Sequence, residues 1–218
     1  MNGETYAGVS PFFLSGGKLF QLLSSMSLCL CLEDDLIPRF FQLLQQGFIV
    51  KAQVGCSIKT LLCQQLDLSP EYLEKRIQTI FLDGKPVDDV NSSTVKQGST
   101  LALSAALPGL VGASLRKGGY YAPMRSQISY RQVTPSGPLQ EGIIFLKLFN
   151  LTLKELGPTF LKRGVWINRE DLSDFFKRQP DDFWSAFKAA RVDGEKFDLD
   201  KLLDIRWAER HVFLKLRT

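Results

Sequence analysis

Ile77–Gly109, IQTIFLDGKPVDDVNSSTVKQGSTLALSAALPG, decides how this chain is built. Ile77 to Leu82 is a β-rich run, and Asp83-Gly84 is the dipeptide that closes a tight hairpin. Lys85 to Val87 reads as a short return. Lys96-Gln97-Gly98 forms a second turn, and Ser99 to Ala106 is a final apolar strand running into Leu107-Pro108-Gly109. Strand, turn, short return, turn and strand in this order point to a small sheet.

Upstream, Met26, Leu28, Leu30 and Leu32 share one strand face, and Ser27, Cys29 and Cys31 the other. Asp35 is placed as an N-cap with Pro38 in the first turn, ahead of a helical stripe of Leu36, Phe40, Leu43 and Leu44 stopped by Gly47. Phe48 to Val54 is a strand. Ser57 caps a helix carrying Ile58, Leu61, Leu62 and Leu66, and Ser69-Pro70-Glu71 opens another turn of helix. Residues 1–17 read as a loose arm with an apolar Pro11-Phe12-Phe13-Leu14 patch, followed by a helical turn at Lys18–Ser24.

Downstream, residues 109–139 hold no period and are rich in Gly, Ser and Pro, so they read as a linker or an extended surface loop. From Gly142 the pattern tightens. Ile143–Phe149 is a strand, and Thr152–Arg163 a helix broken at Gly157-Pro158 and ended by Gly164. Asn168 caps a helix through Arg178, and Asp181 caps one through Arg191. Asp193-Gly194 is a turn, Asp198 starts a short helix, and Val212, Leu214 and Leu216 alternate in a closing strand. Phe175, Phe176, Phe183, Trp184 and Phe187 are closely spaced core aromatics, with Trp166 and Trp207.

The 218 residues are 44% hydrophobic and 23% charged, which provides for a real core. The net charge of +4 is too small to imply nucleic acid, but it is unevenly spread. Residues 111–139 carry 4 basic and no acidic residues, between two nearly balanced flanks. Four cysteines, Cys29, Cys31, Cys56 and Cys63, are too few for a disulfide scaffold. The apolar run after Lys18 is interrupted by Gln and Ser and is too short to span a bilayer. A cytoplasmic location with no membrane contact is expected.

From residue 26 to 109, strand, connection, strand, helix, strand, short strands and final strand resembles the β-grasp (ubiquitin-like) sulfur carriers. These are the small subunit of molybdopterin synthase and the thiamine-pathway carrier. Leu28–Leu32 corresponds to the first strand and Arg39–Gly47 to the turn-rich passage after it. Ser57–Leu62 corresponds to the start of the central helix, Phe81–Val87 to the strand and turn, and Lys96–Leu103 to the entry into the last strand. The resemblance implies a β-grasp domain (20–110) and does not reach the C-terminal part. With the pattern of the rest, the chain reads as an α+β protein with an N-terminal arm (1–19), that domain, a basic linker (111–139) and a small α/β unit (140–218). It also implies docking onto a larger protein partner through Leu107, Pro108, Gly109 and the tail that follows, in sulfur or pterin-cofactor metabolism. The carriers end in Gly-Gly with a reactive carboxylate. Here Gly118-Gly119 is internal, so a carrier role requires cleavage behind Gly119.

Other chemistry is thinly represented. Cys-x-Cys is not the usual zinc-knuckle spacing, so no metal or cofactor is expected. His211 is the only histidine and stands beside no evident nucleophile. Paired carboxylates at Asp34/Asp35, Asp88/Asp89, Asp181/Asp182 and Asp198/Asp200 fall at helix starts and turns, where capping accounts for them. No phosphate-binding glycine loop is present. The inventory argues against an enzyme; an unrecognised site in a cleft between the two units is the remaining enzymatic reading. A second binding reading comes from the basic stretch. Arg116, Lys117, Arg125 and Arg131 alternate with Tyr120, Tyr121 and Tyr130, a composition suited to RNA or another anionic ligand.

Overall fold

A computed structural model of the chain describes residues 26–131, 138–205 and 207–218. The expected arm (1–19), the Lys18–Ser24 turn and residues 132–137 of the expected linker lie outside them. Ten strands are formed: β1 Ser27–Leu32, β2 Phe48–Val54, β3 Thr79–Leu82, β4 Lys85–Pro86, β5 Thr100–Ser104, β6 Gln140–Phe149, β7 Val165–Asn168, β8 Phe187–Val192, β9 Glu195–Phe197 and β10 His211–Arg217. Among the described residues they join into one mixed sheet, in the order β4-β3-β5-β6-β2-β7-β10-β1-β8-β9. The protein is α+β.

The sheet is buried on one side. Leu28, Leu30 and Leu32 of β1, Leu146 and Leu148 of β6, and Val212, Leu214 and Leu216 of β10 are all within a single core cluster. The helices supply its other half. Phe40 and Leu44 come from the segment Asp34–Gln46, Leu61 and Leu62 from Ile58–Gln65, Leu73 from Pro70–Lys75, Phe160 and Leu161 from Asn150–Arg163, and Phe175 and Phe176 from Arg169–Lys177. Each fully buried side chain of this size contributes roughly 1.5–3 kcal/mol. The opposite face carries only a small cluster, Ile49 and Ile143 with Phe145 and Trp166 against them. The buried apolar side chains of the described helices all belong to the first cluster, so the second face has no helical layer.

Local chemistry explains the ends of the elements. Ser57, Ser69, Asn168 and Asp198 each accept a backbone N–H of the helical turn they start. Asp83-Gly84 and Asp193-Gly194 adopt φ of 51°/77° and 51°/86°, the left-handed pair that a two-residue hairpin needs. They join β3 to β4 and β8 to β9.

Several expectations change. Asp35 is not an N-cap: a 3-10 turn runs over Asp34–Phe40 with no side-chain cap, and the α-helix begins at Phe41. Gly157-Pro158 does not break the Asn150–Arg163 helix. Gly157 is buried where a Cβ would meet the Phe41 ring, at 2.8 Å from Cε1, so packing holds the helix together through the proline. The helix begun at Asp181 ends at Ser185, and Phe187–Val192 is strand β8.

The topology differs most for Leu28–Leu32. β1 pairs in parallel with β10 and antiparallel with β8, not with the strands of residues 48–104. The place beside both β2 and β5 is taken by β6, antiparallel to the first and parallel to the second. β2 also meets β7 at Ile49–Trp166, so strands of residues 20–110 and 140–218 are neighbours at five junctions of the sheet.

Candidate interaction site

Beyond β5 the chain turns back on itself. Pro108 is extended and exposed, Gly109 takes φ 76°, and a short helix spans Gly109–Leu115. Gly112 is buried against the Leu107 backbone, where a Cβ would clash with the Leu107 carbonyl. Only glycine lets the helix lie that close. Leu107 is thus half-covered by its own successor, while Pro108 and Gly109 stay at the surface.

The following residues are tied to the β3–β4 edge. Lys117 donates its backbone N–H to the Gln78 carbonyl (2.8 Å) and its ammonium to the Leu73 carbonyl (2.7 Å). Burial pushes the Lys117 pKa below its ordinary value. Gly118, at φ 60°, donates its N–H to the Asp88 carboxylate (3.1 Å), and the Gly119 N–H donates to the Arg116 carbonyl (3.1 Å). Tyr130 donates its N–H to the Pro86 carbonyl (2.8 Å).

Arg125 locks this arrangement. It is 6% exposed and grips both oxygens of Asp88, at 3.0 and 2.7 Å. The same guanidinium donates to the carbonyls of Ser114 (2.6 Å) and Arg116 (3.3 Å) and to the Ser129 hydroxyl (2.6 Å). The fork geometry of arginine suits such a multiply accepting pocket.

The expected site residues therefore separate. Arg125 and Lys117, expected to contact an anion, are engaged inside the protein. Arg116 and Arg131 are exposed, and Arg131 donates to the Ser126 carbonyl. Tyr120 is exposed and Tyr121 meets it edge-on, with ring centroids 5.1 Å apart. Gly118 and Gly119 form a hydrogen-bonded turn in place of a free tail.

What remains on the surface is apolar. Leu110 is 72% exposed, Val111 71%, Tyr120 91% and Met124 81%, and Ile128 also faces solvent. The helix Gly109–Leu115 packs with the 3-10 turn Ala122–Arg125, so these side chains belong to one folded unit. Sequence reading missed Leu110, Val111, Met124 and Ile128, because without a period no face could be assigned to them. It also read Asp88 only as a turn residue.

The remaining candidates stand apart. Cys29 and Cys31 lie on β1, whereas Cys56 precedes the Ile58–Gln65 helix and Cys63 lies within it, and all four are free thiols. Burial pushes the Cys56 and Cys63 thiols up, away from nucleophilic character. His211 is half-buried, and desolvation, with Arg210 beside it, lowers its pKa. Among the described residues no group of three or more His, Cys, Asp or Glu is placed to hold a metal, and no helix is long and apolar enough to cross a membrane. No family model, curated protein or solved structure matches this chain.

Proposed function

We propose that this chain is a non-catalytic protein-interaction module that docks a larger partner through the folded segment after β5. The observation that carries the reading is the set of large apolar side chains at Leu110, Val111, Tyr120 and Met124, held at the surface by the Arg125–Asp88 clamp. Apolar groups gathered on an ordered surface mark interaction sites. The clamp also pre-organises the segment, which lowers the ordering cost of binding. Residues 111–131 contain no carboxylate, and Arg116 and Arg131 are exposed among the apolar groups. The partner surface is therefore apolar with an acidic border.

In this reading β2–β6 form a β-grasp-like half in which β6 fills the place expected of residues 26–32. The resemblance to sulfur carriers then directs the partner toward sulfur or pterin-cofactor metabolism, in a cytoplasmic setting. The carrier alternative has less support. Cleavage behind Gly119 separates Arg125 from the chain that holds Asp88, and so removes the clamp. Anion or RNA binding through 116–131 keeps only Arg116 and Arg131 as outward cations, a small footprint.

Quantitative affinity purification tests the proposal with three tagged baits: wild type, Leu110→Glu/Met124→Glu, and Leu203→Glu as an exposed control elsewhere. A stoichiometric protein retained by wild type and control, and lost by the double variant, is expected. Equal retention by all three baits, or none by wild type, overturns it.

A further inference from the structure

The face of the sheet without a helical layer carries an unassigned cationic cleft. Strand alternation puts Ser27 and Cys29 of β1, Phe213, Lys215 and Arg217 of β10, and Arg191 of β8 on this face, and they line a depression of about 430 Å³. That volume falls within the range of ligand sites, roughly 300–1,000 Å³. Strand register makes the charges a row. Cys29 lies opposite Lys215 on one side and Arg191 on the other, and Arg191 lies opposite Lys196 of β9. Arg217 extends the row beside Cys31.

No acidic side chain of β1, β8, β9 or β10 shares this face among the described residues. Glu195 is in register with Val192, on the core side. Asp193, in the hairpin turn, accepts both the N–H (2.7 Å) and the hydroxyl of Ser27. Arg191 donates from Nη1 to the Gly194 carbonyl (3.0 Å). Neighbouring like charges repel one another and are not explained by the fold, which needs only the alternating apolar residues beneath them.

Aromatic rings adjoin the row. Phe213 is partly buried, lines the cleft and packs against Trp166 with centroids 4.6 Å apart. Cations following a backbone and a ring on which a base stacks are the two elements of single-strand recognition on an open sheet. An acidic peptide would use the charges but not the ring. We infer that the β9-β8-β1-β10 face binds single-stranded nucleic acid, with a nucleotide base on Phe213 and phosphates on Arg191, Lys215 and Arg217.

Fluorescence anisotropy of a 5′-labelled uridine 12-mer against full-length protein tests this, between 50 and 250 mM salt. Three phosphate contacts predict a slope of log K against log salt of about −2. Arg191→Ala/Lys215→Ala/Arg217→Ala is expected to lose at least about tenfold in affinity, and Phe213→Leu about fivefold or more. Arg116→Ala/Arg131→Ala is expected to bind as wild type. Circular dichroism of each variant confirms folding; should the triple variant unfold, Lys215→Gln alone is scored by the salt slope, which is expected to fall by about 0.7. No binding by wild type at 50 mM salt, undiminished binding by the cleft variants, or loss only in the Arg116/Arg131 variant overturns the inference. Competition by inorganic phosphate that equals competition by unlabelled 12-mer at matched phosphate concentration also overturns it, since it marks a simple anion site.

Discussion

Arg125 illustrates how burial inverts what a residue type promises. In sequence it is one of four cations in a basic stretch; in the fold its charge is neutralised by Asp88 and its donors by carbonyls. The pair is asymmetric, because the Arg125 side chain is 4% exposed and that of Asp88 38%. Asp88→Ala leaves a buried cation without its carboxylate and is expected to cost about 3 kcal/mol, the low end for a broken buried pair. Arg125→Ala leaves a carboxylate that water reaches, so about 2 kcal/mol is expected after discounting for screening. Urea unfolding of both variants measures this, and a larger loss for Arg125→Ala contradicts the argument. A second residue-scale test uses pH. Glu155 accepts hydrogen bonds from Arg76 and from the Tyr72 hydroxyl, and these hold its carboxyl below the ordinary 4.5. A depressed carboxylate stabilises the folded state above its unfolded pKa, and that contribution disappears as pH falls through the folded value. Melting curves should therefore show wild type ahead of Glu155→Gln at pH 6, with the gap closing below about pH 4.5. A gap that does not narrow as pH falls below 4.5 excludes an ionic origin.

At the scale of elements, glycines decide where helix gives way to strand. Gly164 ends the Asn150–Arg163 helix at φ 101°, and a Cβ there would collide with the Phe213 ring of β10. Gly164→Ala imposes strain and displaces that ring, so a loss of about 2–3 kcal/mol is expected. Gly84→Ala is also strained by its φ of 77° but meets no atom within 4 Å, so its cost is expected to be smaller. Thermal denaturation of the two variants checks the order. Phe187–Val192 shows the limit of reading elements one at a time. FKAARV is compatible with a helix, and Asp181 upstream offers a cap. The better signal was the type I′ turn at Asp193-Gly194, which demands a strand on each side. β8 is a strand because β1 needs a partner on that edge.

For the whole molecule, the interleaving of distant segments is the main consequence. β6 sits between β5 and β2, and β1 between β10 and β8. A fragment of residues 20–110 leaves β5 and β1 without these neighbours and exposes unpaired edges. It is expected to lack dispersed amide resonances, whereas the full chain is expected to unfold in one cooperative transition. A well-folded 20–110 fragment contradicts this.

The sequence by itself determined much of the local structure: alternation marked strands β1 and β10, apolar and β-rich runs marked β2, β3 and β5, side-chain caps set helix starts at Ser57, Ser69 and Asn168, and Asp83-Gly84 placed one hairpin. These depend on residues a few positions apart, whose geometry the backbone fixes. Only the tertiary structure decided which strands are neighbours, because Leu28 and Leu214 carry the same apolar side chain wherever the partner strand comes from in the chain. It also decided that Arg125 faces inward while Leu110 and Met124 face outward, since exposure in an aperiodic segment is set by what it packs against. The cationic row of Lys196, Arg191 and Lys215 was invisible for the same reason: strand register, not spacing along the chain, brings these charges side by side.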